Sequence, residues 1–226
     1  MERTTQTPAI KPVTQQRSQR TLRRIIDAFA TLLHTKTFEE VTVAEICRVA
    51  GCSVGSFYGR VASKDDLLGH LCDRSYDELA KVVAAVVEPT QYGALEFREV
   101  LERQVRALTI LHVERRGVLR AMIVHARRRE AFGAATRAFN ERLVRVVAEA
   151  WRRHLERSKL SVGSRSLETA AVMAAAFLRE SLIFGELWPT LRDTDEAQIG
   201  AELTDMLTNY LSPVDGVDRE TGAHTT

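Results

Sequence analysis

The chain has 226 residues, of which 45% are hydrophobic and 27% charged, with a formal net charge of +2. That is the balance of an ordinary globular protein long enough to bury a proper core, and it excludes a disordered or fibrous chain. No apolar run is long enough to span a bilayer, and the polar start Met1 to Lys11 lacks the apolar centre of a secretory signal. These features predict a cytoplasmic protein with no membrane partner.

Three cysteines, Cys47, Cys52 and Cys72, are an odd number without metal-ligand spacing, which predicts reduced thiols and no metal site. Charge is unevenly spread. Residues 1–64 hold ten Lys/Arg and five Asp/Glu, a net of +5; the remaining 22 basic and 25 acidic residues give −3. A basic front on a faintly acidic body points to a polyanion partner for the front alone.

Residues 1–16, rich in Thr, Gln and Pro, read as a disordered arm, and Lys11 and Arg17 could reach a minor groove. From Ser18 the pattern turns helical, with Leu22, Ile25, Ile26, Phe29, Leu32 and Leu33 at the spacing of a buried helix face. Thr42 followed three residues later by Glu45 is the capping-box arrangement of a second helix, which Gly51 ends. Ser53 caps a short third helix, Val54 to about Gly59. Ser63 with Asp66 opens a long fourth that Pro89 stops. Five more helices are predicted at Ala94–Val113, Arg116–Arg128, Phe132–Lys159, Leu167–Trp188 and Asp195–Leu211. Gly117, Gly133, the stretch from Ser161 to Ser164, and Pro189 mark the breaks. Pro213 onward reads as a flexible tail. The expected fold is all-α, with a helix-turn-helix domain over 17–62 and a second helical domain over 63–212.

The run from Thr42 to Tyr58 joins two helices through a tight glycine turn. Ile46, Ala50, Val54 and Phe57 can pack on Phe29 and Leu33, and the small Ala50 allows a close crossing. The start of the third helix then presents Gly55 and Ser56, small enough for the backbone to approach base edges in a major groove. Tyr58 and Lys64 lie just beyond, where a hydroxyl and an ammonium suit phosphates.

These residues resemble the DNA-binding domain of tetracycline-repressor (TetR) family regulators. The likeness spans Thr21 to Leu68 and lies in Thr42, Ile46, Ala50-Gly51, Ser53, Gly55, Phe57-Tyr58, Ser63-Lys64 and Leu67-Leu68. It implies a transcription regulator, not an enzyme: a homodimer on double-stranded operator DNA, typically a repressor relieved by a small molecule. Carried over by position, Thr42, Tyr58 and Lys64 would touch backbone phosphate, and Ser53, capping the third helix, is counted with them. Val54, Gly55 and Ser56 would face bases. Three residues depart from the usual pattern. Cys52 stands where an aliphatic residue is common and Val61 where phenylalanine is common. Arg60 stands where histidine is frequent and would add a phosphate or guanine contact.

The second domain carries no motif with ligand chemistry. The Ala-rich stretch from Ala170 to Leu178 permits close helix packing; within the chain or between two chains, it reads either way. The resemblance favours a two-fold bundle with the last helix, placing Ala174, Leu178, Leu182, Ile199, Leu203, Met206 and Tyr210 in a dimer interface. A mainly apolar effector would be held by residues such as Leu71, Leu101, Val105, Met122, Phe139, Leu143 and Phe177. The fourth helix, about 25 residues and near 37 Å long, would be the lever. His112, His125 and His154 are scattered singly, no catalytic constellation appears, and no cofactor is expected. Two alternatives remain: a ligand-independent DNA-binding factor or activator of the same fold, and a helical interaction protein that does not bind DNA.

Overall fold

The computed structural model describes residues 12–160, 162–191 and 194–212. Among them are nine α-helices and no strand: α1 (Pro12–Leu33), α2 (Val43–Ala50), α3 (Val54–Tyr58), α4 (Lys64–Val86), α5 (Phe97–Glu114), α6 (Arg116–Arg128), α7 (Glu130–Arg157), α8 (Ser164–Leu178) and α9 (Glu196–Leu211). The chain divides into two compact units, Met1–Cys72 and Asp73–Thr226. The division falls inside α4 and not at Ser63, because Leu67, Leu68 and Leu71 from its first turns are buried and complete the first unit.

Helix ends follow local chemistry closely. α1 starts at Pro12, so residues 12–16, expected in the loose arm, are helical; proline at the first helical position forfeits no hydrogen bond. The rest of the arm, Lys11 included, and the tail from Pro213 lie outside the described residues. α5 begins at Phe97, later than Ala94, because the Glu99 carboxylate reaches back to accept from the Glu96 N–H at 3.0 Å and so marks the helix start. Gly117 and Gly133 lie within helices; the breaks fall at Arg115 and Arg129, whose backbones leave helical geometry. The helix expected to run unbroken from Leu167 to Trp188 instead ends at Leu178. A π-helical turn, Arg179–Ile183, follows, then 3-10 turns at Gly185–Leu187 and Pro189–Leu191.

The first unit's core is Ile25, Phe29, Leu33, Ile46 and Phe57, closed by Leu67 and Leu68 from α4. In the second unit, Leu101 and Val105 of α5, Trp151 and Leu155 of α7, Ala170, Ala174 and Leu178 of α8 and Leu203 and Leu207 of α9 form one cluster. A polar pair crosses it: the Trp151 indole N–H donates to Gln104 Oε1 at 2.7 Å, both residues buried. A smaller cluster holds Val83, Val87 and Ala150, with Leu143 packed against it. No described helix is long and apolar enough to cross a membrane, and no described group of three His, Cys, Asp or Glu could hold a metal ion.

Candidate nucleic-acid interface

The geometry of the first unit is set by three caps and one turn. Thr42 Oγ1 accepts from the Glu45 N–H at 3.2 Å while Glu45 Oε2 accepts from the Thr42 N–H at 3.0 Å. Lys36 and Thr42 hold the Glu45 carboxyl down to about 2, the hydrogen bond from Lys36 being the largest single cause. Gly51 ends α2 in the left-handed region, φ 62°, where a Cβ would be strained. Its N–H bonds the Arg48 carbonyl at 3.4 Å and the next N–H, of Cys52, bonds the Cys47 carbonyl at 3.0 Å. This is the Schellman pattern, which satisfies the last carbonyls of α2 and fixes the turn. Ser53 Oγ then accepts from the Ser56 N–H at 3.1 Å, starting α3, and Ser63 Oγ accepts from the Asp66 N–H at 3.0 Å, starting α4.

On this frame α3 is anchored by Phe57, fully buried, while Val54, Gly55 and Tyr58 are exposed. Val54 was expected both in the packing and among the outward positions; at 47% exposed it is outward only. Thr42 and Ser53 are exposed with their side-chain oxygens engaged in caps. Tyr58 is 55% exposed and stands edge-on to Phe57, with ring centroids 5.2 Å apart. The exposed basic residues Arg17, Arg20, Arg23 and Arg24 of α1 and Arg48 of α2 belong to the same unit.

Two residues expected at phosphate face inward instead. Lys64 Nζ donates to the carbonyls of Phe38 at 2.6 Å and Val41 at 2.8 Å, and sits 4.4 Å from the centre of the Phe38 ring. Its ammonium ties the α1–α2 loop to the start of α4. Arg60 Nη1 donates to Ser56 O at 2.7 Å and Ser56 Oγ at 2.9 Å, and Nε donates to Ser18 O of α1 at 3.4 Å. The sequence offered no signal for either, since these contacts span 23, 26 and 42 residues or depend on a helix orientation.

The residues expected around an effector do not form one set. Leu71 belongs to the first unit. Leu101 and Val105 are in the main core cluster, against which Phe177 packs; Leu143 packs on the smaller cluster. Met122 is buried on α6, and Phe139 lies on Tyr76 with ring centroids 4.7 Å apart. The second unit also has two surface grooves of about 450 and 420 Å³. The first is lined by Glu88, Arg153, Glu156 and Arg157 among others, the second by Arg145, Glu149, Arg152 and Glu168 among others.

The dimer-interface expectation is altered most. Ala174, Leu178, Leu182, Ile199 and Leu203 are at most 7% exposed and sit in the unit's own core. A side chain already enclosed has almost no area to give a second copy. Tyr210 packs partly on the same cluster; Met206, 41% exposed, remains outward. The solvent face of α8 carries Glu168, Thr169, Val172 and Ala175.

Residues 25–71 match the family model for bacterial regulatory proteins of the tetR family. Among curated proteins the sequence finds no match. Solved structures of similar fold include one from Mesorhizobium loti MAFF303099 assigned to the TetR family of transcriptional regulators (20% identity, 86% of this chain and 96% of that one, TM-score 0.66). A tetR-family regulatory protein of Rhodococcus RHA1 is 16% identical over 86% and 98% of the two chains, TM-score 0.63. The regulator FadR of Bacillus subtilis, in complex with stearoyl-CoA, is 12% identical over 86% and 99%, TM-score 0.58. The class defined by fold and site is the helix-turn-helix transcription regulator. Residues 25–71 carry the match to the tetR family, and over most of its length the chain has the fold of these solved regulators.

Proposed function

We propose that the protein is a homodimeric, cytoplasmic repressor that binds operator DNA through α3 and releases it when a small, mainly apolar effector enters the second unit. The observation that carries the DNA reading is the first turn of α3: Val54, Gly55 and Tyr58 are exposed on a helix whose opposite side, Phe57, is fully buried. A rigid helix end with small side chains suits a major groove. The phosphate contacts fall to Tyr58 and Thr42, supported by exposed arginines of α1 and α2 in place of Lys64 and Arg60. The effector reading is supported by FadR, a regulator of similar fold that was solved in complex with stearoyl-CoA.

A ligand-independent factor of the same fold is the second reading, favoured by the filling of the second unit's centre: Leu101 and Val105 are in its core cluster, and Phe177 packs against that cluster.

Selection from a random DNA pool tests the first claim. A dimer should recover palindromes with half-sites about 10–10.5 base pairs apart or a longer helical repeat; no enrichment overturns the DNA reading. Effector titration into free protein and into the operator complex tests the second. Linkage requires DNA to weaken the effector by the same factor, typically about 5–150-fold, by which the effector weakens DNA. Equal affinities in the two titrations leave the ligand-independent reading.

A further inference from the structure

We propose that Cys47 and Cys52 form an oxidisable dithiol, closed by hydroperoxides to a disulfide across the helix-turn-helix turn and lowering operator affinity while closed. The inference rests on the DNA-binding reading and adds a control to it.

The geometry comes from the turn. Cys47 and Cys52 occupy the two positions of a Schellman motif whose side chains characteristically meet. Their backbones are tied by the 3.0 Å hydrogen bond from the Cys52 N–H to the Cys47 carbonyl. Even fully extended, the path from one Cα through that bond to the other spans about 7 Å, the outer limit for bridging two cysteines without moving the backbone. Cys47 is buried and Cys52 partly exposed, so reagents reach the pair through Cys52. Burial, and then the adjacent Cys52 sulfur, push the Cys47 thiol up. Cys72, buried on α4, serves as the internal control.

The chemistry balances with a hydroperoxide as oxidant. Cys52 sulfur attacks the terminal oxygen, the O–O bond breaks, and Cys52 becomes a sulfenic acid while the thiol proton leaves with the alcohol or water released. Cys47 sulfur then attacks the sulfenic sulfur. The S–S bond forms, the S–O bond breaks, and the Cys47 proton leaves with the hydroxyl as a second water. Two thiols lose two electrons to the peroxide.

The consequence follows from where the slack lies. Bonding shortens the sulfur separation to about 2.05 Å. Cys47 is fixed in the core, whereas Cys52 immediately precedes Ser53, the cap of α3. The adjustment is therefore taken up at the start of the reading helix.

The test treats the full-length reduced chain with hydrogen peroxide. The intact mass should fall by two hydrogens, peptide mapping should join Cys47 to Cys52 with Cys72 free, and affinity for a selected operator should drop. About tenfold is expected, the worth of one lost base contact, with recovery in dithiothreitol. Cys52→Ser and Cys47→Ala should each bind operator as the reduced protein does and keep that affinity in peroxide. Added oxygen mass at Cys52 without a link overturns the dithiol; a mapped link with unchanged affinity overturns the switch. A reduced protein that enriches no DNA sequence overturns the DNA reading and the switch with it, while the mass readout still decides the dithiol.

Discussion

Arg60 clasps Ser56: one guanidinium nitrogen donates to both the carbonyl and the hydroxyl oxygen of the residue one turn earlier, at 2.7 and 2.9 Å. The same side chain reaches the Ser18 carbonyl of α1. A helix of five residues has little stability of its own, so its orientation depends on such ties as well as on Phe57. With an acceptor site of the Ser56 hydroxyl taken by Arg60, its O–H is left to donate to an acceptor on a base edge. Arg60→Ala and Ser56→Ala should each weaken operator binding, and the double variant by less than the sum. A double-mutant cycle measured by fluorescence anisotropy should give a coupling of about 0.5–3 kcal/mol. Additive losses would show that Arg60 acts independently of Ser56, for instance at phosphate.

Lys64 gives a different signature. Its ammonium is bound to the Phe38 and Val41 carbonyls, and charge-assisted bonds of this kind contribute about 1.5–3 kcal/mol. Lys64→Met, which keeps most of the apolar stem over the Phe38 ring, should lower the melting temperature by several degrees. It should leave the slope of log affinity against log salt unchanged. A phosphate contact would do the reverse, flattening that slope by roughly one unit with little effect on melting. Calorimetry and a salt titration on the same variant separate the two roles.

What was legible in the sequence was what is decided within four residues. The Thr42–Glu45 and Ser63–Asp66 caps, the Gly51 turn and the exposed start of α3 could all be read because backbone groups at helix ends must be satisfied locally. The direction of long polar side chains could not: whether Lys64 turns outward to phosphate or inward to Phe38 depends on a loop more than 20 residues away. The Ala-rich α8 hid its inner face for another reason. Ala170, Ala171 and Ala174 are buried while Val172 and Ala175 are exposed, so apolar residues surround the helix and periodicity cannot choose a side. The break after Leu178 lacks a proline or glycine within it, since the π-helical turn spans Arg179–Ile183.

Histidine burial predicts a pH dependence of stability. His154 donates from Nε2 to the Leu95 carbonyl at 3.0 Å and accepts from Arg157 at Nδ1, an arrangement that requires neutral imidazole. Burial, then the Arg157 charge, hold its pKa below the ordinary value. Burial does the same at His112. Both groups take up protons more readily unfolded than folded. Stability is therefore full above the unfolded value of about 6.5 and falls as pH drops through and below it. Urea midpoints should decline between pH 7.5 and 5.5. The decline should be shallower in His154→Gln, which keeps a hydrogen-bonding side chain without the titration. An equal slope in wild type and variant would remove His154 from the account.

The last prediction separates the second unit's core from its outer face. Leu203 of α9 is fully enclosed by its own chain. Leu203→Glu would place a carboxylate among apolar side chains at a cost of several kcal/mol, and the expected outcome is an unfolded chain, not a folded monomer. Val172 of α8 is 52% exposed and Met206 of α9 is 41% exposed, each on the side its helix turns to solvent. A second copy packing on these helices would cover them, and a charge at either position would be desolvated there without a partner. Val172→Glu and Met206→Glu should therefore keep wild-type helicity by circular dichroism while light scattering at micromolar concentration falls from dimer to monomer mass. Operator affinity should fall with it, because one small module alone holds DNA weakly. If both variants remain dimeric, α8 and α9 do not form the two-fold contact through these faces. A monomeric wild type would remove the dimer from the proposal altogether.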